Sequence, residues 1–279
     1  MSEKGLAPCL KGAVFSRIGS SLFSALLADQ GEHTYDGYAD GRPMFRIKIC
    51  GVTGEQDIEA VADAGADAVG LNFHPPSIRF VDPSFAGKLS KVAAQHALMR
   101  IGVFVDQSPV EIAGIAEIAQ LDAVQLHGGQ SVEDAQWLGD HGWQVIRVLR
   151  LAAGPLRMED ISAAVEPWLA SDFPLLFDAD AGAHGGGLGL RLDWETIGRW
   201  SKIEATSENI SPSGRSQPVG WALAGGLTPE TVGEAIARSH AQSIDVASGV
   251  EEPRGKKCRR KIERFVAAAM KAWGGPLQV

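Results

Sequence analysis

A cysteine at the end of a strand-like segment is the first feature of this sequence with chemical potential. Apolar and basic side chains alternate over residues 45–49, and Cys50 and Gly51 follow directly. That period of two is typical of a strand, and α/β proteins display reactive groups at the carboxyl ends of their strands. Taken alone, Cys50 is explained better as a small buried hydrophobe. It becomes a candidate catalytic group only if a partner lies nearby.

A carboxyl after a later strand is the candidate partner. Asp178 follows the apolar segment 174–177. A thiolate can act as a base and a protonated carboxyl as an acid, although Asp178 alone also suits a helix cap or an ion pair. Lys48 precedes Cys50 by two residues and therefore faces the same way. We expect it to favour the thiolate, and a Schiff-base lysine is the alternative interpretation.

Two glycine-containing turns, Gly225-Gly226 and Ser248-Gly249, follow the last two strand-like segments. Bare backbone N–H groups and a helix N-terminus can bind phosphate at such turns, which is their usual role after strands seven and eight of a barrel. The alternative is that these glycines only allow tight turns. Because both turns carry the feature, we favour the phosphate interpretation.

Arg79 is the candidate for binding a carboxylate, since its planar guanidinium can donate two parallel hydrogen bonds. A solvated loop arginine is the equally weighted alternative. The histidines His74, His127 and His184 have no metal-ligand spacing, so the sequence predicts no metal site. We expect His127 to be a structural hydrogen-bonding residue.

These residues need elements that bring them to one end of the molecule. From residue 45 onward, eight strand-like segments alternate with eight helix-like ones. Continuous apolar strands in this order predict a closed parallel (β/α)8 TIM barrel, and an open doubly wound sheet is the alternative. In a barrel, the Ser-, Pro- and Gly-rich insert at 201–218 lies on the face opposite the active site.

Composition fits one barrel and excludes several classes of protein. The chain has 279 residues, 45% of them hydrophobic, a formal charge of −8 and a pI near 5.4. This length suits a single barrel of about 250 residues. The acidic balance argues against nucleic-acid and membrane partners. Three dispersed cysteines (Cys9, Cys50 and Cys258) predict no disulfide framework and suit a reducing, cytoplasmic location.

The first 43 residues form a separate N-terminal extension, and the catalytic domain is expected at 44–279. Two interpretations of the extension stay open. It is either a mis-assigned start, with Met44 as the natural one, or a weakly ordered segment. A cleaved signal peptide fits less well, because Ser16 and Arg17 break the apolar stretch.

Several motifs together carry a family resemblance over residues 45 to about 272. In chain order they are Lys48–Thr53, Val103–Val105, Val124–Gly128, Leu223–Leu227 and Asp245–Glu251. The chain resembles the phosphoribosylanthranilate isomerase family of tryptophan biosynthesis. The resemblance implies a cofactor-free Amadori rearrangement of N-(5-phosphoribosyl)anthranilate to 1-(2-carboxyphenylamino)-1-deoxyribulose 5-phosphate. It also implies a small phosphorylated substrate as the only partner, in a monomer or homodimer.

The resemblance also implies residue roles. Cys50 matches the general base and Asp178 the general acid. Arg79 matches the arginine that binds the anthranilate carboxylate. The glycines after strands six, seven and eight match a phosphate site: Gly187, Gly189, Gly225, Gly226 and Gly249, with Ser248 beside them.

The chain departs from the family pattern at two positions. Leu188 replaces a hydroxyl residue in the loop after strand six, which predicts weaker phosphate binding there. Cys258 stands where aspartate is usual, at the start of the last helix, and this change concerns capping. Two other functions remain open: a different sugar-phosphate enzyme, such as an aldolase using Lys48, and a barrel that binds a phosphorylated ligand without turnover.

Overall fold

Eight parallel strands close into a barrel in the order β1 to β8. The computed structural model describes residues 44–171, 173–179, 191–206 and 220–274. The barrel closes where β1 pairs with β8 and places Lys48 opposite Asp245. The predicted (β/α)8 barrel is confirmed. The strands are β1 Ile47–Cys50, β2 Ala68–Asn72, β3 Met99–Phe104, β4 Ala123–Leu126, β5 Gln144–Leu151, β6 Leu175–Ala179, β7 Trp221–Leu223 and β8 Ile244–Val246.

One α-helix follows each strand. The first ends at Gly65, which has a left-handed φ of 83°. The second begins behind Asp82, whose side chain accepts from the Ser84 N–H. The helices are α1 Glu55–Ala64, α2 Pro83–Gln95, α3 Pro109–Ala119, α4 Val132–Asp140, α5 Met158–Val165, α6 Trp194–Thr206, α7 Val232–Ser239 and α8 Arg259–Ala272.

Two apolar layers stabilise the barrel. The larger layer lies between the strands and the helices. The smaller layer fills the barrel interior with buried side chains such as Ala68, Ile101, Ile146 and Leu176. Alternation along each strand sends neighbouring residues into different layers. The interior is therefore packed at its base, and the polar groups lie towards the carboxyl ends of the strands.

Several element boundaries differ from the sequence expectation. The helix α6 continues to Thr206, so the irregular insert expected from residue 201 begins later. We expected β5 to end at Leu149, but it runs to Leu151 and pairs Arg150 with Asp178. The final helix begins at Arg259 instead of Lys256, and Cys258 occupies its N-cap position without a side-chain capping bond. The helix is therefore not capped as an aspartate would cap it.

The helices that the structure describes include none long and apolar enough to cross a lipid bilayer.

Candidate active site

The thiol of Cys50 lies at the carboxyl end of β1, on the interior face of the barrel. Lys48, two residues earlier in the same strand, is fully buried, and its Nζ donates a 2.9 Å hydrogen bond to Asp245 Oδ1. Gly70 on β2 leaves the space for the thiol, since a Cβ built there would lie 2.8 Å from Cys50 Sγ. Three neighbouring strands thus position one sulfur atom.

Burial dominates the ionisation of this thiol. It raises the pKa of Cys50, and the positive charge of Lys48 opposes that shift without cancelling it. Lys48 is weakened as a counter-charge because it also pairs with Asp245, which itself raises the thiol pKa. We expected Lys48 to favour the thiolate. It acts in that direction, but the resting thiol remains protonated at neutral pH.

Asp178 is the last residue but one of β6 and lies at the same end of the barrel. Its Oδ1 accepts a 2.8 Å hydrogen bond from the Ala179 N–H. Burial raises the pKa of this carboxyl to about 6, and the charge of Asp245 adds to the shift. Asp178 therefore changes its protonation state close to neutral pH, as a proton-transferring group must.

A histidine lies beside this carboxyl. His127 Nε2 lies 3.6 Å from Asp178 Oδ2. Burial lowers the pKa of His127 to about 4, and the charge of Arg150 adds to the effect. The ring is therefore neutral at pH 7 and forms a polar contact instead of an ion pair. At 3.6 Å this contact is longer than a hydrogen bond, so the structural hydrogen-bonding role of His127 stays a prediction.

The guanidinium of Arg79 lies over the turn that follows Cys50. A Cβ built on Gly51, whose φ is +75°, would lie 2.4 Å from Arg79 Cδ, so only glycine leaves room for the arginine. Two of its nitrogens are already used: Nε donates to Glu251 Oε1 at 2.6 Å and Nη2 to Glu251 Oε2 at 2.8 Å. Both N–H groups of Nη1 and the second one of Nη2 form no hydrogen bond to the residues that the structure describes, so they are left for a ligand.

Glu251 is the centre of a buried cluster of charges. Besides Arg79, it accepts hydrogen bonds from the Lys257 ammonium at 2.9 Å and from the Gly255 N–H at 2.8 Å. The side chains of Glu251 and Lys257 are each 1% exposed. Although burial alone would raise it, the pKa of Glu251 falls to about 2, because Arg79 and Lys257 stabilise the carboxylate.

The turns after β7 and β8 lie against each other. Gly225 and Gly226 both have positive φ, and a Cβ on Gly225 would lie 3.1 Å from Asp178 Oδ1. A Cβ on Gly249 would lie 1.9 Å from the carbonyl oxygen of Leu227. The glycines therefore have a packing role, which the alternative interpretation required. They also place bare backbone beside Asp178, where an anion can approach.

Two of the predicted phosphate residues, Gly187 and Gly189, lie outside the described residues, as do Leu188 and His184. Ser248 begins a short 3-10 turn that runs to Val250, directly after β8. No group of three or more potential metal ligands occurs in the parts of the chain that the structure describes.

The arrangement suits proton transfer on an anionic ligand. A thiol and a carboxyl with a pKa near neutrality share the mouth of one barrel, and both are influenced by the charge of Asp245. Cationic groups and exposed backbone line the same mouth. Such a site can protonate one atom of a bound molecule and remove a proton from another.

Sequence reasoning missed four contributors to this site. Arg150 was missed because β5 was expected to end at Leu149, two residues too early. Asp245 stands in one of the family motifs without an assigned role, and Lys257 also had no assigned role. Glu251 was read only as part of a motif. The signal for Arg150 was available, since it continues the inward period of two that Ile146 and Val148 begin.

Known proteins resemble this chain over most of its length. A family profile described as N-(5'phosphoribosyl)anthranilate (PRA) isomerase matches residues 47–268. An N-(5'-phosphoribosyl)anthranilate isomerase from Rhodospirillum rubrum is 37% identical over 229 residues, which cover 80% of this chain and 96% of that protein.

Solved structures agree with the sequence relatives. The crystal structure of phosphoribosyl anthranilate isomerase from Thermotoga maritima has a TM-score of 0.66 and 33% identity, covering 81% of this chain and 98% of that one. A structure of the isomerase in complex with reduced 1-(o-carboxyphenylamino)-1-deoxyribulose 5-phosphate has a TM-score of 0.63 and 32% identity, with the same coverage.

Proposed function

Since the chain belongs to the N-(5'-phosphoribosyl)anthranilate isomerase family, we infer that it is an isomerase of tryptophan biosynthesis. It converts N-(5'-phosphoribosyl)anthranilate to 1-(2-carboxyphenylamino)-1-deoxyribulose 5-phosphate by an Amadori rearrangement. The observation that carries the mechanism is the pairing of a thiol and a near-neutral carboxyl at one barrel mouth. The reaction needs an acid and a base and no net change in atoms.

Our assignment gives the acid role to Asp178. Its protonated carboxyl donates to the furanose ring oxygen, the C1′–O bond breaks, and the aniline nitrogen forms a Schiff base. Desolvation supports this role because it raises the pKa of Asp178 to about 6. The two negative groups of the substrate raise that pKa further when they bind nearby.

Cys50 is assigned as the base. Its thiolate removes the C2′ proton of the Schiff base, and the resulting enolamine tautomerises to the ketone. Lys48 supports this role, since its positive charge makes the largest contribution that opposes the effect of burial on the thiol pKa. The space left by Gly70 keeps the sulfur atom at the interior face of the mouth.

The anionic ends of the substrate are assigned to two regions. Arg79 takes the anthranilate carboxylate through Nη1. The phosphate lies at the turns of Gly225, Gly226, Ser248 and Gly249, and we extend this assignment to Gly187 and Gly189. Left-handed glycines beside Asp178 support it, because bare backbone can approach phosphate oxygens there.

The aldolase alternative is disfavoured by the surroundings of Lys48. Burial lowers the pKa of this amine, but Asp245 and Cys50 outweigh burial and leave the pKa raised. A protonated, fully buried ammonium is a poor nucleophile. Borohydride treatment in the presence of substrate should therefore leave Lys48 unlabelled.

Two substitutions test the acid and base assignments. Cys50→Ala and Asp178→Asn should each lower kcat by about 10²- to 10⁴-fold, the usual contribution of a general acid or base. Turnover of phosphoribosylanthranilate and circular dichroism measure activity and fold. Cys258→Ala is the matched control, because it removes a thiol from a helix N-cap position where the side chain makes no capping bond. Near-normal turnover in either test variant would contradict its assignment.

The remaining assignments concern the whole protein. We propose that the barrel domain spans residues 44–279 and works in the cytoplasm as a monomer or homodimer. The assigned acid, base and carboxylate-binding residues all come from one chain, so either oligomeric state contains a complete site. Light scattering of the purified protein distinguishes the two states.

A further inference from the structure

The charge of Lys257 is the least explained part of the barrel mouth. The ammonium of Lys257 is buried. It donates one hydrogen bond to the carbonyl of Ala247, the residue directly after β8, and one to Glu251, each at 2.9 Å. Its charge also acts to lower the pKa of Cys50, but the assignments above give it no role of its own. Burial of a lysine carries a desolvation cost, which the ion pair with Glu251 and the hydrogen bond to Ala247 offset here.

Counting charges in the cluster shows what Lys257 changes. Arg79 and Glu251 alone form a bidentate pair with no net charge. Such a pair offers a carboxylate little attraction, because the anion of Glu251 offsets the cation of Arg79 at close range. Lys257 adds one positive charge at Glu251 Oε1, the oxygen that also accepts from Arg79 Nε, so the three groups together carry one net positive charge.

We propose that Lys257 is a positioning residue for substrate recognition: it neutralises Glu251, so that Glu251 can hold Arg79 in place without cancelling its attraction for the substrate carboxylate. The inference deepens the proposed function and rests on the role of Arg79 in it. Glu251 sets the geometry of the guanidinium through two hydrogen bonds. Lys257 compensates the negative charge of Glu251, which would otherwise offset the positive charge of Arg79.

The same contacts connect the two ends of the substrate site. Lys257 donates to Ala247, the residue before the Ser248-Gly249 turn, while Glu251 binds Arg79 at the turn after β2. The proposed carboxylate and phosphate regions are therefore fixed relative to each other through one ion-pair cluster. Their spacing is held constant, as binding of a ligand with two separated anions requires.

Binding of two probe ligands tests the proposal. One is reduced 1-(o-carboxyphenylamino)-1-deoxyribulose 5-phosphate, and the other is the same compound without the ring carboxyl. Calorimetry gives the ratio of their Kd values, which reports recognition of the carboxylate alone. In Lys257→Met the preference for the carboxylate probe should fall about tenfold, equivalent to loss of one charge-assisted interaction.

A double variant separates charge from structure. Glu251→Gln with Lys257→Met removes both charges and leaves Arg79 with its own, so the preference for the carboxylate probe should recover. A merely structural lysine would show no such rescue. The double variant also leaves no unpaired buried charge, so it decides the question if Lys257→Met alone does not fold.

Three results would overturn the inference. An unchanged ratio in Lys257→Met would do so, as would a folded double variant without recovery. An equal loss in Lys256→Met, the exposed neighbour with the same change in charge, would reduce the effect to net charge. Arg79→Gln distinguishes the underlying assignment: if it keeps the preference, the proposed role of Arg79 has failed, and not only that of Lys257.

Discussion

At the scale of residues, the two groups assigned to proton transfer have pKa values in the reverse of the usual order: the assigned acid has the lower pKa and the assigned base the higher one. Burial raises the pKa of Cys50 above its ordinary value, and it raises that of Asp178 only to about 6. Between these values most molecules contain a thiol and a carboxylate. The reactive form assigned above, with thiolate and carboxyl, is a minor one that exchanges one proton between the two groups.

The pH dependence of kcat/KM follows from this inversion. The reactive fraction rises with pH up to about 6, stays constant, and falls above the raised pKa of Cys50. We therefore expect a bell-shaped profile with its acid limb near 6 and its alkaline limb above the ordinary thiol value near 8.5. Initial rates at low substrate concentration between pH 5 and 10 measure it.

A histidine variant identifies the group behind the acid limb. His127 has a pKa of about 4 because it is buried, so His127→Asn should keep a limb near 6. If this variant lost the acid limb, the limb would have to be assigned to His127 and not to Asp178. An alkaline limb below the ordinary thiol value would show that the thiolate is favoured, contrary to the burial of Cys50.

At the scale of elements, the turns after β7 and β8 function as one unit. Gly249 lies so close to the backbone of Leu227 and Thr228 that a side chain at this position must push the two turns apart. The obstacle is backbone, not the flexible end of a side chain. A displacement at one turn is therefore transmitted to the other, where Gly225 contacts Asp178.

We expect Gly249→Ala to raise KM for phosphoribosylanthranilate by about tenfold or more, since misplacement of binding groups by about an ångström is costly. The thermal midpoint should fall as well. Gly233→Ala is the matched control, because a Cβ on that residue of α7 meets nothing within 4 Å. A folded Gly249→Ala variant with normal KM would show that the two turns are not one binding unit.

The same comparison shows how far sequence patterns reach. Strand order, barrel closure and the positions of Cys50 and Asp178 at strand ends could be predicted, because they depend on local periodicity and on a rule of the fold. The ion pairs could not. Lys48 and Asp245 are 197 residues apart, and Arg79 and Glu251 are 172 apart. Their pairing depends on closure of the barrel and on strand register, which no local pattern contains.

Space is equally hidden from the sequence. Gly70 in β2 predicts only a strand glycine, and its use becomes clear from its pairing with Cys50 across the sheet. Similarly, Arg79 was correctly placed after β2, but its engagement by Glu251 follows from the turn after β8. A motif therefore shows which residues the site contains, and the tertiary structure shows which of their atoms remain available.

At the scale of the whole molecule, the assigned site residues that the structure describes, from Cys50 to Gly249, all lie in the barrel. The family profile also begins at residue 47. Residues 1–43 are not needed for any contact described above. The proposed domain boundary at residue 44 therefore has a direct consequence for a shortened chain.

A chain of residues 44–279 should fold and retain the kcat and KM of the full chain. The physical reason is that the described side chains of the barrel interior and of the charged cluster all belong to this shorter chain. Activity assays and thermal melts of the two purified chains make the comparison. An insoluble or inactive short chain would show that the N-terminal residues belong to the fold.

Closure of the barrel by charges also bears on how the protein is made. Lys48 and Arg79 are synthesised well before their partners Asp245 and Glu251, which follow 197 and 172 residues later in the chain. Until then the nascent chain carries unpaired cations beside an unfinished thiol site. Catalytic competence therefore arrives only with the last βα unit, so isomerase activity during synthesis reports the completion of the whole barrel.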